Sequence, residues 1–335
     1  MTDLRCLMVK EASETPQIEQ TTVSPDDLPT GDVTIRVEYS SLNFKDALAC
    51  QGHRGVVKSL PHVPGIDAAG TVSESSEPSL PPGTPVLVTG YDLGQGRWGG
   101  WCEAIRVPAE WVVRIPDGLT TKSAMAIGTA GFTAAQSVLA IQRNEVQPSD
   151  GEILITGATG GVGSIAVSLL AKLGYKVVAV SRKADQTERL VKLGAGRVIS
   201  TDEISDDSSR PMLSAKWAGA IDTVGGDVLN SILRSTKLNG CVTTCGLVAG
   251  AELDMTLYPF LLRGVSLCGI ASADCPRPRR LQIWDLLAQD WQLDLEAWTN
   301  ELQLSDIPAA VQSILAGEHV GRTIIQLHSD GDSQP

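Results

Sequence analysis

Three patterns of hydrophobic and polar residues divide the chain. In the first, apolar Val33, Ile35, Val37 and Tyr39 alternate with polar neighbours, which is the period-two pattern of a half-buried strand. Short apolar runs follow, separated by segments dense in Gly and Pro such as 81–83. Residues 1–122 are therefore predicted to form a β-rich domain with one solvated face.

The second pattern, from residue 123 to 262, alternates strands with helices. Apolar runs that predict strands recur at 152–156, 175–180, 197–199, 220–224 and 241–244. Helical spacing lies between them at 161–173 and 186–193. Strands that alternate with helices indicate βαβ units and a doubly wound parallel sheet.

After residue 262 the pattern is β-like again at 265–270. A helix near 281–287 and a closing strand at 323–327 follow. We therefore predict an α/β chain in which a nucleotide-binding domain, 123–262, is inserted into a β-rich domain built from 1–122 and 263–335.

Composition and charge narrow the function classes. The 335 residues are 42% hydrophobic and 20% charged, as expected for a globular protein of two ordinary domains. The formal net charge of −12 argues against nucleic acid as a partner, so a phosphate-bearing ligand needs a local group of donors. Neither a secretory signal nor an apolar run near the roughly 20 residues of a membrane span is predicted.

The cysteines and histidines argue against a metal site. The seven cysteines are scattered and contain no C-x-x-C pair, so we expect no disulfide framework and a reduced, cytoplasmic compartment. The four histidines form no ligand-spaced cluster. Zinc requires three protein ligands at a catalytic site and four at a structural one, and no metal is predicted.

A glycine-rich loop, 157–163, leads from Thr156 into an apolar helix. Its glycines let the backbone turn tightly and admit a pyrophosphate to amides that a Cβ would cover, and the helix start offers free N–H groups. A tight strand–helix connection that binds nothing is the alternative. The predicted pyrophosphate contacts are Thr159, Gly160, Gly161 and Val162.

The end of the next strand indicates which cofactor is bound. An acidic residue there would bind a ribose 2′-hydroxyl, and a basic residue a 2′-phosphate. The strand runs into Ser181, Arg182 and Lys183, where arginine can donate two parallel hydrogen bonds to a phosphate. The sequence therefore predicts NADPH, with a solvated charged turn as the alternative.

Short-chain dehydrogenases share this glycine spacing, but they keep the loop near the N-terminus and follow it with Tyr-x-x-x-Lys. None of the four tyrosines has a lysine four residues later. That family is therefore rejected.

Several longer motifs resemble the zinc-free members of the medium-chain dehydrogenase/reductase superfamily, and among them the acrylyl-CoA reductase type. The motifs cover nearly the whole chain, at 40–48, 64–70, 98–100, 127–134, 217–225 and 321–323. The resemblance implies a Rossmann sheet inserted into a GroES-like β-rich domain, a homodimer, and reduction of acrylyl-CoA to propionyl-CoA by NADPH.

Polar residues in these motifs are the candidates for catalysis. Asn43 and Asp46 share a face if their segment is helical; Asn43 is expected to orient substrate or nicotinamide, and Asp46 to anchor a cation or the ribose. Asp67 is expected to orient Asn43 or Arg322, and Arg322 to hold a phosphate or the enolate. Each residue also has a structural alternative. Asn43 and Asp46 could form a helix cap or turn, Asp67 could be a buried carboxylate paired for structure, and Arg322 could be solvated.

One position departs from the family pattern, because Phe44 stands where relatives usually have Tyr. Phenylalanine can pack on the nicotinamide but cannot donate a proton, which leaves Lys45, Asp46 or water as the proton source. Thr129 is expected to hydrogen-bond the cofactor or to start a helix. By resemblance alone, the cofactor cleft is also lined by Thr201, Leu247, Leu261, Ser272 and His328.

Three functions remain after these observations. The first is an NADPH-dependent enoyl-thioester reductase acting on acrylyl-CoA. The second is an NADPH:quinone oxidoreductase with the same hydride donor, and the third is an NADPH-binding sensor or structural protein with little turnover.

Overall fold

The computed structural model of the protein describes residues 3–13 and 15–328. In the strand predicted from the alternating pattern, Val33, Ile35 and Val37 are buried and Arg36 is exposed, which confirms that pattern. The first elements are β1 Leu4–Lys10, β2 Gln17–Val23, β3 Val33–Ser41, α1 Phe44–Cys50, β4 Asp67–Ser75, β5 Pro85–Thr89, β6 Ala104–Val107 and β7 Val113–Arg114.

The middle of the chain alternates helices with strands. Its elements are α2 Thr121–Arg143, β8 Glu152–Ile155, α3 Gly161–Lys172, β9 Lys176–Val180, α4 Thr187–Lys192, β10 Arg197–Ile199, β11 Trp217–Asp222, α5 Gly226–Ser235, β12 Thr236–Thr244, α6 Tyr258–Arg263 and β13 Ser266–Gly269. The chain then ends with α7 Arg277–Ala288, β14 Thr299–Gln303, α8 Ile307–Leu315 and β15 Arg322–Gln326.

The contacts divide these elements into two compact units. The first unit contains residues 1–129 and 273–335, and the second contains residues 130–272. The second unit is therefore an insertion in the sequence of the first.

The second unit is built on a six-stranded sheet with the order β10-β9-β8-β11-β12-β13, in which every neighbouring pair is parallel. This order is that of a Rossmann sheet, which confirms the doubly wound α/β fold. The sequence pattern places a boundary at residue 262, whereas β13 still belongs to this sheet because it pairs with β12. Four half-exposed residues are too few for the hydrophobic pattern to assign them to either sheet.

The first unit contains a seven-stranded sheet, mainly antiparallel, with the order β14-β15-β3-β4-β5-β7, and β6 also pairs with β3. β4 and β15 flank β3 and run antiparallel to it. The end of β3 at Ser41 therefore lies beside the start of β4 at Asp67 and the start of β15 at Arg322. The sheet thus brings three polar residues from distant parts of the chain to one end.

The helix α2 is interrupted at Gly128, whose backbone angles, φ 51° and ψ −160°, are not helical. This helix is long and apolar enough to cross a membrane by length and composition, yet 83% of its apolar window is buried. Such burial is typical of a core helix of a folded domain.

Candidate active site

The first turn of α1 separates inward-facing from outward-facing side chains. Asn43 precedes the helix with extended backbone angles. Its backbone N–H donates a hydrogen bond to the Asp46 carboxylate at 2.8 Å. The Phe44 ring is exposed and points away from the core. So does the Lys45 ammonium, which donates to the Gln95 side-chain oxygen at 3.4 Å. Of the two expected caps, only the carboxylate of Asp46 acts as one.

Asp67 is the centre of a buried polar cluster at the end of the sheet. One carboxylate oxygen, Oδ2, accepts hydrogen bonds from the Ser41 hydroxyl at 2.6 Å, the Asn43 amide at 2.9 Å and the Thr129 backbone N–H at 2.9 Å. The other, Oδ1, accepts one from the Thr129 hydroxyl at 2.5 Å. Asp67 therefore accepts hydrogen bonds from four donors on three residues. We name Ser41, Asn43, Asp46, Asp67, Thr129 and Arg322 the Asp67 cluster.

Arg322 completes the Asp67 cluster from the first residue of β15. Its guanidinium donates to the Asn43 side-chain oxygen at 3.2 Å and to the backbone oxygens of Ala126 and Met125 at 2.9 and 3.3 Å. The side chain is only 2% exposed, so the solvated arginine considered from the sequence is not what the structure contains. Burial lowers the pKa of Arg322, and the charges of Asp67 and Asp46 oppose this effect.

Asp46 has its oxygens occupied by the protein's own donors. Besides the Asn43 N–H, its carboxylate accepts the backbone N–H groups of Gly65 and Ile66 at 3.1 and 2.9 Å. Burial, followed by the charge of Asp67, raises the pKa of Asp46 from 3.8 to about 7, although these hydrogen bonds partly offset the rise. No cation contacts Asp46 among the described residues, so the structure shows no anchored cation there, and the contact with the ribose stays a prediction.

Gly128 is a residue of this site that the sequence analysis missed. A Cβ at this position would lie 2.7 Å from both the Arg322 Nη2 and the Asp67 Oδ2 atoms, and its φ of +51° disfavours other residues. The interruption of α2 at this glycine presents the next residue's N–H to Asp67. A glycine inside an otherwise apolar helical pattern, between Ile127 and Thr129, was the available signal.

The glycine-rich loop of the second unit leads into a helix, α3, whose first backbone N–H groups receive no side-chain cap. It turns through Gly157, whose φ is +56° and whose carbonyl accepts the Gly160 N–H at 2.9 Å. A Cβ at Gly163 would lie 2.3 Å from the Gly157 carbonyl oxygen, whereas one at Gly160 would meet only that oxygen, at 3.3 Å. Gly163 is therefore required by packing, while Gly160, at the N-cap of α3, leaves open space in front of uncapped N–H groups.

The segment predicted to bind the 2′-phosphate, residues 181–183, follows β9. The Ser181 hydroxyl accepts the Lys183 N–H at 3.0 Å, which closes a tight turn. Arg182 is exposed, and its guanidinium makes no hydrogen bond or ion pair within the described parts of the chain. The arrangement leaves one arginine available to a phosphate.

Asp222 is a second residue that the sequence analysis missed, at the topological switch point of the parallel sheet. It accepts hydrogen bonds from Thr156 at 2.8 Å, from the Gly225 N–H at 2.9 Å and from Thr244 at 3.1 Å. These contacts join the carboxyl ends of β8, β11 and β12. Burial raises the pKa of Asp222 above its ordinary value.

The remaining candidates are distributed over the two units. Thr201 begins a short 3₁₀ turn after β10, Leu247 and Leu261 are exposed, and Ser272 is half-buried in the second unit. In the first unit, Nδ1 of His328 lies 3.8 Å from a Glu103 carboxylate oxygen. The structure brings together the predicted catalytic residues with Thr129, and it leaves these five outside that cluster.

Two family models match the chain. One, described as the alcohol dehydrogenase GroES-like domain, matches residues 29–117, and the other, described as zinc-binding dehydrogenase, matches residues 161–289. Within residues 3–13 and 15–328, no group of three or more His, Cys, Asp or Glu side chains is arranged to hold a metal ion.

Individual proteins are similar over almost the whole chain. The acrylyl-CoA reductase AcuI of Ruegeria pomeroyi is 44% identical over 304 residues, which are 90% of this chain and 92% of that protein. The crystal structure of YhdH from Escherichia coli K-12 with bound NADPH has a TM-score of 0.93 at 44% identity and covers 96% of this chain and 100% of that chain.

A third relative differs in its name and its bound cofactor. YhfP of Bacillus subtilis, which carries the provisional name quinone oxidoreductase, is 41% identical over 325 residues, 96% of this chain and 98% of that protein. Its crystal structure with NAD bound has a TM-score of 0.94 at 41% identity and covers 97% of this chain and 100% of that chain.

Proposed function

Because the chain belongs to the medium-chain dehydrogenase/reductase superfamily, we propose that it reduces the activated C=C bond of acrylyl-CoA, or a similar short enoyl thioester, with NADPH. The observation that carries this proposal is the similarity to the acrylyl-CoA reductase of Ruegeria pomeroyi over nine-tenths of the chain. The product of acrylyl-CoA is propionyl-CoA.

The second unit has the features that NADPH binding requires. The uncapped start of α3 and the space at Gly160 suit a pyrophosphate, and the exposed Arg182 with Ser181 suits a 2′-phosphate. When bound, NADPH supplies the hydride that is added to the β-carbon of the substrate. Further cofactor contacts are proposed from the resemblance for Phe44, Thr129, Lys183, Thr201, Leu247, Leu261, Ser272 and His328.

The Asp67 cluster is proposed to hold the first turn of α1 in position. Both polar atoms of the Asn43 side chain are engaged, since Nδ2 donates to Asp67 and Oδ1 accepts from Arg322. The cluster is therefore proposed to orient the segment that carries Phe44 and Lys45. A group fixed by buried hydrogen bonds is preorganised, which lowers the cost of arranging reactants.

The α-carbon of the substrate needs a proton after hydride transfer. Asp46 is completely buried and its oxygens accept three backbone N–H groups, which argues against it as the donor. Lys45 is exposed beside Phe44, so this lysine or a water molecule is the proposed proton source.

Parallel assays test the substrate. We expect rapid NADPH consumption with acrylyl-CoA, with propionyl-CoA identified by mass spectrometry, and little with benzoquinone. The name of YhfP favours a quinone as the second candidate substrate. Turnover with benzoquinone alone would replace the first proposal by the second, and tight NADPH binding without turnover of either would indicate a sensor or structural protein.

A homodimer in the cytoplasm is proposed as the working form. β13 is an edge strand of the six-stranded sheet, and α6, which precedes it in the chain, exposes Leu261 and Leu262. An edge strand with unpaired backbone groups next to apolar side chains suits pairing with a second copy of the chain. Light scattering should give twice the chain mass of 35.4 kDa, and Leu262→Asp should shift the mass toward the monomer. A monomeric wild type would disprove the dimer.

A further inference from the structure

Two cysteines from distant parts of the chain face each other in the first unit. Cys6 of β1 and Cys102, which precedes β6, form an isolated antiparallel bridge. On one side of it Leu7 N–H donates to Trp101 O at 2.9 Å, and on the other Glu103 N–H donates to Arg5 O at 3.0 Å. The backbone hydrogen bonds therefore flank the two cysteines, which form a non-hydrogen-bonded pair.

This register places the two Cα atoms close together. In non-hydrogen-bonded antiparallel pairs the Cα atoms are about 4.5 Å apart and the side chains approach most closely. Disulfides span Cα separations of about 4.4–6.8 Å. The Arg5 side chain, whose Nε is 2.5 Å from a Glu103 carboxylate oxygen, holds the same register from outside.

The two thiols affect each other's ionisation. The neighbouring Cys102 raises the pKa of Cys6, whereas the neighbouring Cys6 lowers the pKa of Cys102. Both residues are buried. Cys102 is therefore the sulfur that more readily carries the negative charge required for nucleophilic attack.

We propose that Cys6 and Cys102 are a reversible oxidation site that forms an intramolecular disulfide with hydrogen peroxide. The Cys102 thiolate attacks one peroxide oxygen, the O–O bond breaks, and the hydroxide released takes a proton to become water, which leaves a sulfenic acid. The Cys6 thiol then attacks that sulfur, the S–S bond forms, and the S–O bond breaks to release a second water. Two thiols lose two electrons in total, and one peroxide is reduced to two waters.

A second cysteine pair in the chain serves as an internal comparison. The sulfur atoms of Cys241 and Cys268 are 3.9 Å apart on the parallel strands β12 and β13. However, Cys241 pairs with Ser266 and Cys268 with Thr243, so the two cysteines are offset by two residues. Two residues advance roughly 6.6 Å along a strand and strands lie about 4.8 Å apart, so the Cα atoms are about 8 Å apart. Disulfides do not bridge Cα atoms more than about 7 Å apart without backbone movement.

The proposal is tested on the full-length protein treated with millimolar hydrogen peroxide, alkylated and digested with trypsin without reduction. Cleavage after Arg5, Lys10, Arg97 and Arg106 releases the two halves of the site as peptides 6–10 and 98–106. We expect these peptides to be joined, with a loss of two hydrogen masses, and to separate on addition of dithiothreitol. Denatured oxidised protein should show five free thiols instead of seven.

Two serine variants make the test specific. Cys102→Ser should abolish the joined peptide, and Cys268→Ser should leave it unchanged. If Cys102→Ser does not fold, the digest of the oxidised wild type still decides the matter. The proposal is overturned if peptides 6–10 and 98–106 remain separate while other thiols are oxidised, or if Cys241 and Cys268 are joined instead.

Discussion

The Asp67 cluster and the glycine-rich loop are both sites of dense polarity, but they are built in opposite ways. In the Asp67 cluster every carboxylate oxygen and every polar atom of Asn43 has a partner within the protein. In the loop, the start of α3 has no side-chain cap, and the Arg182 side chain beyond β9 has no partner within residues 3–13 and 15–328. A satisfied cluster contributes rigidity, whereas uncapped donors remain available to a ligand.

The largest effect is expected at the centre of the Asp67 cluster. Asp67→Ala removes the acceptor of the buried Ser41 hydroxyl and one acceptor each of the Asn43 amide and of Thr129. Hydrogen bonds to charged groups contribute about 1.5–3 kcal/mol each, so the free energy of unfolding should fall by about 4 kcal/mol or more. Urea denaturation measures it, with Asp274→Ala, at an exposed position, as a control that should change by less than about 0.5 kcal/mol. A loss below about 1 kcal/mol for Asp67→Ala would contradict the role given to the cluster.

Two glycine-to-alanine variants distinguish the Asp67 cluster, where stability should fall, from the glycine-rich loop, where cofactor binding should weaken. Gly128→Ala places a Cβ 2.7 Å from two charged atoms at a left-handed φ and should cost about 2–3 kcal/mol of unfolding free energy. Gly160→Ala meets only one oxygen at 3.3 Å, so the melting temperature should hold while the Kd for NADPH, measured by calorimetry, rises about tenfold. Equal losses of stability in the two variants would remove the contrast.

Arg182→Ala tests whether the exposed Arg182 side chain binds the 2′-phosphate of NADPH. Loss of a charge-assisted hydrogen bond should raise the Kd for NADPH about tenfold and leave that for NADH nearly unchanged. Fluorescence titration with both cofactors measures the ratio, and Arg189→Ala, at an exposed position of α4, is the matched control. An equal change for both cofactors would show that Arg182 does not bind the 2′-phosphate.

A pH dependence of stability is expected from Asp46. Its folded-state pKa of about 7 lies above its ordinary value of 3.8, so the folded protein binds more protons between those values. Stability contributed by this group is therefore present below roughly pH 4 and is lost as the pH rises toward 7. The Asp46→Asn variant lacks this titrating group. Its melting temperature should therefore fall less than that of the wild type between roughly pH 4 and pH 7. Parallel curves would show that Asp46 does not titrate as described.

Local patterns alone determined much of the second unit. The alternation of apolar strands with helices, the glycines at 157–163 and the basic residues 182 and 183 are all features of short segments. They predicted the Rossmann sheet because periodicity and turn chemistry act over a few residues. The basic residues indicated NADPH, and resemblance of whole motifs then indicated the family.

Only the tertiary structure decided how the Asp67 cluster is assembled. Asn43 and Arg322 are 279 residues apart, and no local pattern states that one donates to the other. Their meeting depends on β4 and β15 both pairing with β3, and on the break in α2 at Gly128. The same holds for β13, which is assigned to the parallel sheet by its partner β12. Strand pairing and burial are long-range properties, and they decide which of the polar residues named by a sequence are satisfied within the protein and which remain open to a ligand.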